Sequence, residues 1–172
     1  MERSDVEKPS RTHVDDIVIR SARISDGNAI GDLWEQLVLF HQQLDESLPM
    51  AIEEGGKLYA DRIIDRLNDT QTQVLVAEAN GQVIGFVLGV IIDLVPEMFV
   101  QQIGGFLADI YVHEDYRRRG IGQKLVDELL DWYRSKGVSY LELYVATKNN
   151  NAREFWDSIG GRDIMNRKRI QL

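Results

Sequence analysis

Arg117-Arg118-Arg119-Gly120-Ile121-Gly122 is the run in this chain best equipped for chemistry, because it combines charge with bare backbone. It falls between a stretch that reads as a strand and one that reads as an amphipathic helix. At such a turn the first N–H groups of the helix lack internal partners and lie at the positive end of the helix dipole, which makes an anion site. Glycines at 120 and 122 remove the Cβ atoms that would hold a phosphate off the backbone, and the arginines add charge for further phosphates, so a pyrophosphate fits. The plainer reading is a solvated basic run whose glycines merely serve a turn. The order matches neither the G-x-x-x-x-G-K-[ST] of a P-loop nor the G-x-G-x-x-G of a dinucleotide-binding turn.

A second constellation comes after the SYLELYV strand: Asn149-x-x-Ala152-x-x-Phe155-Trp156-x-x-x-Gly160. Together, LADIYVHEDYRRRGIG, the helix after it and NNNAREFWDSIGG resemble the acetyl-CoA-binding core of the GNAT superfamily of N-acetyltransferases, in order and spacing, over Phe106 to Gly161. The resemblance implies an α/β fold with a mixed, mostly antiparallel twisted sheet and helices on both faces. It implies acetyl-CoA as cosubstrate, no metal, and transfer of the acetyl group to a primary amine, either a small cationic amine or a protein amine, by direct attack. In the family, the strand before the loop splays from its neighbour, and its backbone groups matching Ile110, Tyr111 and Val112 pair with the pantetheine arm. The loop matching Arg118, Arg119, Gly120, Ile121, Gly122 and Gln123, opened by Arg117, wraps the pyrophosphate. Asn149 matches a position near the pantetheine, and Phe155 and Trp156 match the short helix beside the thioester.

The catalytic groups are less regular. A tetrahedral oxyanion could be met by a strand N–H near Val112. Family members often carry a carboxylate base at positions matching Phe106 or Ala108, both apolar here. Asp109 is the adjacent candidate, although alternation points it to the other face unless a bulge intervenes; a structural hydrogen bond is its plainer role. The usual tyrosine acid falls at Trp156, whose indole cannot release a proton in this range. Tyr111 or Tyr144 could substitute, beside the plainer reading of strand packing. His41 reads as a core or rim histidine, and His113, at the end of the strand, as a cap or a solvent-facing residue. For a cationic acceptor the chain offers Asp45, Glu46, Glu53, Glu54, Asp93 and Glu97. The missing base and acid keep one other reading open, an acyl-CoA-binding sensor of the same fold with little turnover, and a second rival is an enzyme for a longer donor such as succinyl-CoA.

These residues need elements to position them. Met1 to Val14 shows no periodicity and reads as a flexible arm, leaving 15–172 as one domain. Asp16 to Arg20 reads as a strand. Ser25 or Asp26 then starts a helix with Ile30, Leu33, Leu37, Phe40, His41 and Leu44 at helical spacing. A broken acidic loop leads to a second helix that ends near Asn68. Gln73 to Ala79, Asn80-Gly81 and Gln82 to Asp93 form a hairpin signal, since Asn-Gly supplies the positive φ angles of a tight turn. Phe106 to His113 is the next strand, and Gly120 to Lys136 carries the clearest helical stripe, closed by Gly137. Ser139 to Val145 alternates as a strand, Asn151 to Ile159 is a short helix, and Arg162 to Leu172 reads as a closing strand.

Bulk properties agree with one globular domain. At 172 residues, with 20 basic and 28 acidic side chains, the chain carries a formal charge of −8, which argues against nucleic acid or an anionic membrane as partner. The absence of cysteine removes disulfides, thiolate metal sites and a thiol nucleophile. The longest apolar stretch, Val83 to Ile92, is about half the roughly 20 residues of a membrane helix, and the start lacks a signal-peptide core, so the expected location is cytoplasmic. Strand edges near the C-terminus make a homodimer reasonable.

Overall fold

A computed structural model describes residues 17–92 and 95–172. The expected arm, the first residue of the first strand and Asp93 lie outside them. The order is β1 (Ile17–Ser21), a 3₁₀ turn (Ile24–Asp26), α1 (Gly27–Leu44), α2 (Gly55–Arg66), β2 (Thr72–Ala79), β3 (Gln82–Ile92), β4 (Gly104–Val112), a second 3₁₀ turn (Glu114–Tyr116), α3 (Ile121–Ser135), β5 (Tyr140–Leu143) and α4 (Asn150–Ser158). The strands form one sheet in sequence order, antiparallel except for β4 with β5. This is the mixed, mostly antiparallel arrangement expected.

Alternation along the strands sorts the apolar side chains onto two faces. Val74, Val76, Phe86, Leu88 and Tyr111 meet Ile30, Leu33, Leu37 and Ile63 of α1 and α2. Leu75, Ala77, Val87 and Leu107 meet Ile121, Leu125, Leu129 and Tyr133 of α3. Helices therefore cover both faces. The β2–β3 turn has Asn80 at φ 52° and Gly81 at φ 76°, the left-handed pair a tight hairpin demands.

Strand β4 departs from regularity in two places. Leu88 pairs with Asp109 and Gly89 with Leu107, so Ala108 is an extra residue and β4 bulges there. Up to Leu107 and Leu143 the strand is paired with β5; from there β4 continues to Val112 while β5 stops. One expectation fails: Arg162 to Leu172 adds no strand to the sheet, and every residue in it is exposed. Its alternation has apolar members at Ile164, Ile170 and Leu172, but between them lie Arg167, Lys168 and Arg169, and no strand of the sheet accepts it.

Candidate active site

The parting of β4 from β5 opens a cleft of about 650 Å³. One wall is β4 from Leu107 to Val112, and the other is Tyr144, Val145 and Ala146 just beyond β5. The turn before α3 closes one end, and Leu37, Phe40 and His41 of α1 close another.

At the α3 end, Gly120 is the N-cap at φ 75°, and among the described residues no side chain caps the helix. Lys124 N–H is the donor to Gly120 O at 3.0 Å, so the N–H groups of Ile121, Gly122 and Gln123 precede the intrahelical ladder. A Cβ on Gly120 or Gly122 would meet nothing within 4 Å, which leaves the space before these amides open. Arg118 also sits in the left-handed region, at φ 62°, curling the loop so that successive amides can converge on an anion. The residues present therefore fit a pyrophosphate held by backbone, and β4's unpaired side fits an extended amide chain.

The structure brings Ile110, Tyr111, Val112, Arg117, Arg118, Gly120, Ile121, Gly122, Gln123, Asn149, Phe155 and Trp156 to this cleft. Arg119 is turned elsewhere: its guanidinium donates to Asp115 O at 3.0 Å and lies over the Tyr116 ring. Arg117 does not reach along the loop either. Its Nε donates to Val112 O at 2.9 Å, and its guanidinium stands 5.0 Å from the Tyr111 ring centre and 5.3 Å from that of Phe40, joining β4 to α1. Asn149 caps α4 through its side-chain oxygen, which accepts from Ala152 N–H at 3.1 Å. Tyr111 is a buried wall residue whose hydroxyl, among the described residues, makes only a long 3.5 Å contact with Gln36.

The bulge decides the position of Asp109. Leu107 faces the α3 side of the sheet, and the extra residue at 108 turns Asp109 to the α1–α2 side, where Tyr59 of α2 donates to its Oδ2 at 2.9 Å. Asp109 thus makes the structural hydrogen bond and lines the cleft as well. Burial pushes its carboxyl above the ordinary value, while Tyr59 and His41 pull it back. Burial, reinforced by the Asp109 charge, pushes the Tyr59 phenol far up, so it stays a donor. His41 faces the same cleft; burial lowers its imidazole and Asp109 opposes that.

Sequence reasoning placed Tyr59 on the second helix but not at the site, because a tyrosine on the apolar stripe of a helix looks like any core residue. It passed over His41 for the same reason, and the available signal was a histidine interrupting an apolar stripe. His113 does cap, accepting weakly from Asp115 N–H at 3.4 Å. Of the acidic residues expected around an acceptor, none among those described lines the cleft: Asp45 pairs with Lys148 at 3.1 Å, and Glu46, Glu53, Glu54 and Glu97 lie elsewhere on the surface. The cleft's carboxylates are Asp109 and Glu154. Among the described residues no group of three or more potential metal ligands comes together, and no helix is long and apolar enough to cross a membrane.

Comparison with known proteins locates the same architecture. The chain is 27% identical over 144 residues to the uncharacterised N-acetyltransferase YhfO of Bacillus subtilis, spanning 83% of this chain and 87% of that protein. A shorter match, 36% over 59 residues, links it to the thialysine N-epsilon-acetyltransferase of Bos taurus, covering 34% of this chain and 35% of the relative. Among solved structures, a mutant of the BH1408 protein from Bacillus halodurans superposes with a TM-score of 0.80 at 22% identity, over 90% of this chain and 99% of that one. A predicted acetyltransferase with acetyl-CoA from Clostridium acetobutylicum superposes at 0.69 with 18% identity, over 90% and 96%. Residues 37–160, which run from the helix that closes one end of the cleft to the glycine after α4, match the Acetyltransferase (GNAT) family, and the chain belongs to that family.

Proposed function

We propose that this protein transfers the acetyl group of acetyl-CoA to a primary amine, in the cytoplasm, by direct attack of the amine on the thioester. The observation that carries the reading is the uncapped start of α3 opening onto the same cleft that holds Asp109 where β4 leaves β5. The amides of Ile121, Gly122 and Gln123, with Arg118 beside them, would hold the pyrophosphate. Peptide groups of Ile110 to Val112 would pair with the pantetheine arm, and Asn149, Phe155 and Trp156 would flank it. Acetyl-CoA supplies an activated acyl group whose thiol, with a pKa near 8.5, leaves without strong assistance.

The protein's task is then to deliver a neutral amine. An amine with pKa about 10.4 lies roughly 3.4 units above neutrality, which amounts to about 4.6 kcal/mol of deprotonation at pH 7. Asp109, the candidate catalytic carboxylate, gives the cleft a negative charge that attracts the ammonium form. Tyr111 is carried with it as a candidate, and its burial supports a shaping role. The acceptor is a cationic amine of small size or on a protein.

Calorimetric titration with acetyl-CoA, run on the wild type and on the Arg118→Glu, Gly120→Glu double variant, then thiol release across an amine panel, tests this. Binding lost in the variant together with thiol release for particular amines is the expected result. Trp156 at the place of the usual acid favours one second reading, an acyl-CoA sensor, which predicts binding without release.

A further inference from the structure

We propose that His41 is the proton acceptor in this transfer and that Asp109 acts through it as a positioning residue. The assignment rests on the acetyltransferase reading above. Three observations carry it. His41 lies on the cleft-facing side of α1, next to Phe40, whose ring centre is 5.9 Å away, and it lines the same cavity as Asp109. Its ring has no hydrogen-bond partner among the described residues, and no buried side-chain nitrogen or oxygen among them lacks a partner, so the unpaired imidazole nitrogens are reached by solvent on a residue that lines the cleft. Finally, Tyr59 takes Asp109 Oδ2, while Oδ1 has no donor among the described residues, which fixes the carboxylate and leaves its charge to interact with His41.

This division of labour suits both groups. Asp109 is anchored by a phenol that is stacked on Trp34 at 4.8 Å and edge-on to Phe86 at 6.0 Å, so it cannot swing toward a substrate without breaking that contact. His41 is half-buried, which favours the neutral imidazole that can accept a proton, and the Asp109 charge favours the imidazolium once it has formed. The other titratable or charged groups on the cavity are Tyr111 from β4, Tyr116, Arg117 and Arg118 from the turns before α3, Tyr144 after β5, and Glu154 from α4. Arg117 is held over the Phe40 ring, 5.3 Å from its centre.

In the step itself the amine nitrogen bonds to the thioester carbon, the C–S bond breaks with its electron pair going to sulfur, and the proton shed by nitrogen goes to His41. His41 then passes it to the departing sulfur. One N–H has become one S–H, and no oxidant or metal takes part. The roles of base and acid, which the residues at Phe106, Ala108 and Trp156 do not fill, fall to one side chain.

The test uses the best acceptor from the amine panel and measures kcat against pH at saturating substrates, with acetyl-CoA affinity and thermal melting as controls. His41→Gln is expected to lower kcat by about 10²-fold or more, the usual contribution of a general base, to keep acetyl-CoA affinity within about threefold, and to abolish the acid limb of the profile. His41→Ala should regain part of its rate with added imidazole. Asp109→Asn should keep the limb but move it to lower pH, because the charge that favours imidazolium is gone, and Tyr59→Phe should alter the limb without removing it. If turnover in His41→Gln stays within about threefold with the limb in place, or the limb vanishes only in Asp109→Asn, His41 is not the acceptor. A wild type that binds acetyl-CoA yet acetylates no amine overturns the functional reading and this assignment with it; an active wild type indifferent to His41 overturns the assignment alone.

Discussion

The hydroxyl of Tyr133 joins α3 to the strands that carry the site. It lies 2.9 Å from Phe106 O and 3.2 Å from Val90 O, one proton shared between two carbonyls of neighbouring strands. The ring reaches that position because residues 89 and 105 are glycines: a Cβ at Gly105 would stand 2.6 Å from the ring, and one at Gly89 would stand 2.7 Å from the hydroxyl. Phe106 precedes the Ala108 bulge by two residues, so this contact supports the strand just before it turns Asp109 toward the cleft. Tyr133→Phe removes the donor and keeps the packing, and should cost about 1–2 kcal/mol. For a chain of this size that corresponds to a melting temperature lower by roughly 2–8 °C. Acetyl-CoA affinity should be retained, and an unchanged melting curve would show that the hydroxyl holds nothing. The helical stripe placed Tyr133 in the core from sequence. The two glycines that admit its ring were not legible as its partners, because they lie on different strands and only the assembled sheet brings them under α3.

Among the elements, β1, the turn before α1 and β2 are tied by one charged cluster. Arg20 donates to Asp26 at 2.7 and 2.9 Å and to Glu78 at 2.8 and 2.5 Å, and Arg23 N–H donates to Asp26 at 2.7 Å. The Arg20 hydrogen bond, aided by Arg23 and opposed by burial, holds the Asp26 carboxyl below its ordinary value. A depressed folded-state value means that the linked stability is present above the unfolded value of about 3.9 and is lost as pH falls through the folded one. Thermal melts from pH 7 to 3 should therefore show Asp26→Asn less stable at neutrality and less sensitive to acid than the wild type; parallel curves would mean the cluster is not linked to folding. Elements with purely local signals were legible: Asn80-Gly81 marked the hairpin, and Ile121 to Tyr133 with Gly137 marked α3. The bulge at Ala108 was not, since an extra residue is defined only against a partner strand. That single residue decides whether Asp109 faces α3 or the cleft, so the direction of Asp109 could not be read from sequence, whereas the glycines and arginines at the start of α3 could.

At the scale of the molecule, the disagreement between expected and observed structure concentrates after α4. Ile164, Met165, Ile170 and Leu172 are 64 to 117% exposed, and the outer edge of β5 carries no strand among the described residues. Alternation made a closing strand from Arg162 to Leu172 reasonable, but alternation describes what a segment can pair with and does not supply the pairing. The polar and ring contacts of residues 164–172 are superficial. Arg167 lies 6.0 Å from the Tyr144 ring centre, and Arg169 donates to Ser47 O at 2.5 Å, touching the α1–α2 loop. Neither buries an apolar side chain, and exposed pairs of this kind contribute little. Removing residues 164–172 should therefore lower the melting temperature by no more than about 2–4 °C, the shift that roughly 1 kcal/mol produces in a chain of this length, and should leave acetyl-CoA affinity unchanged, since α3 and β4 are untouched. A fall of roughly ten degrees or more, well beyond that range, would instead mean that in solution the segment lies along β5, as its alternation allows. The wall at Tyr144 would then be covered from outside, and the cleft would be narrower than an open groove.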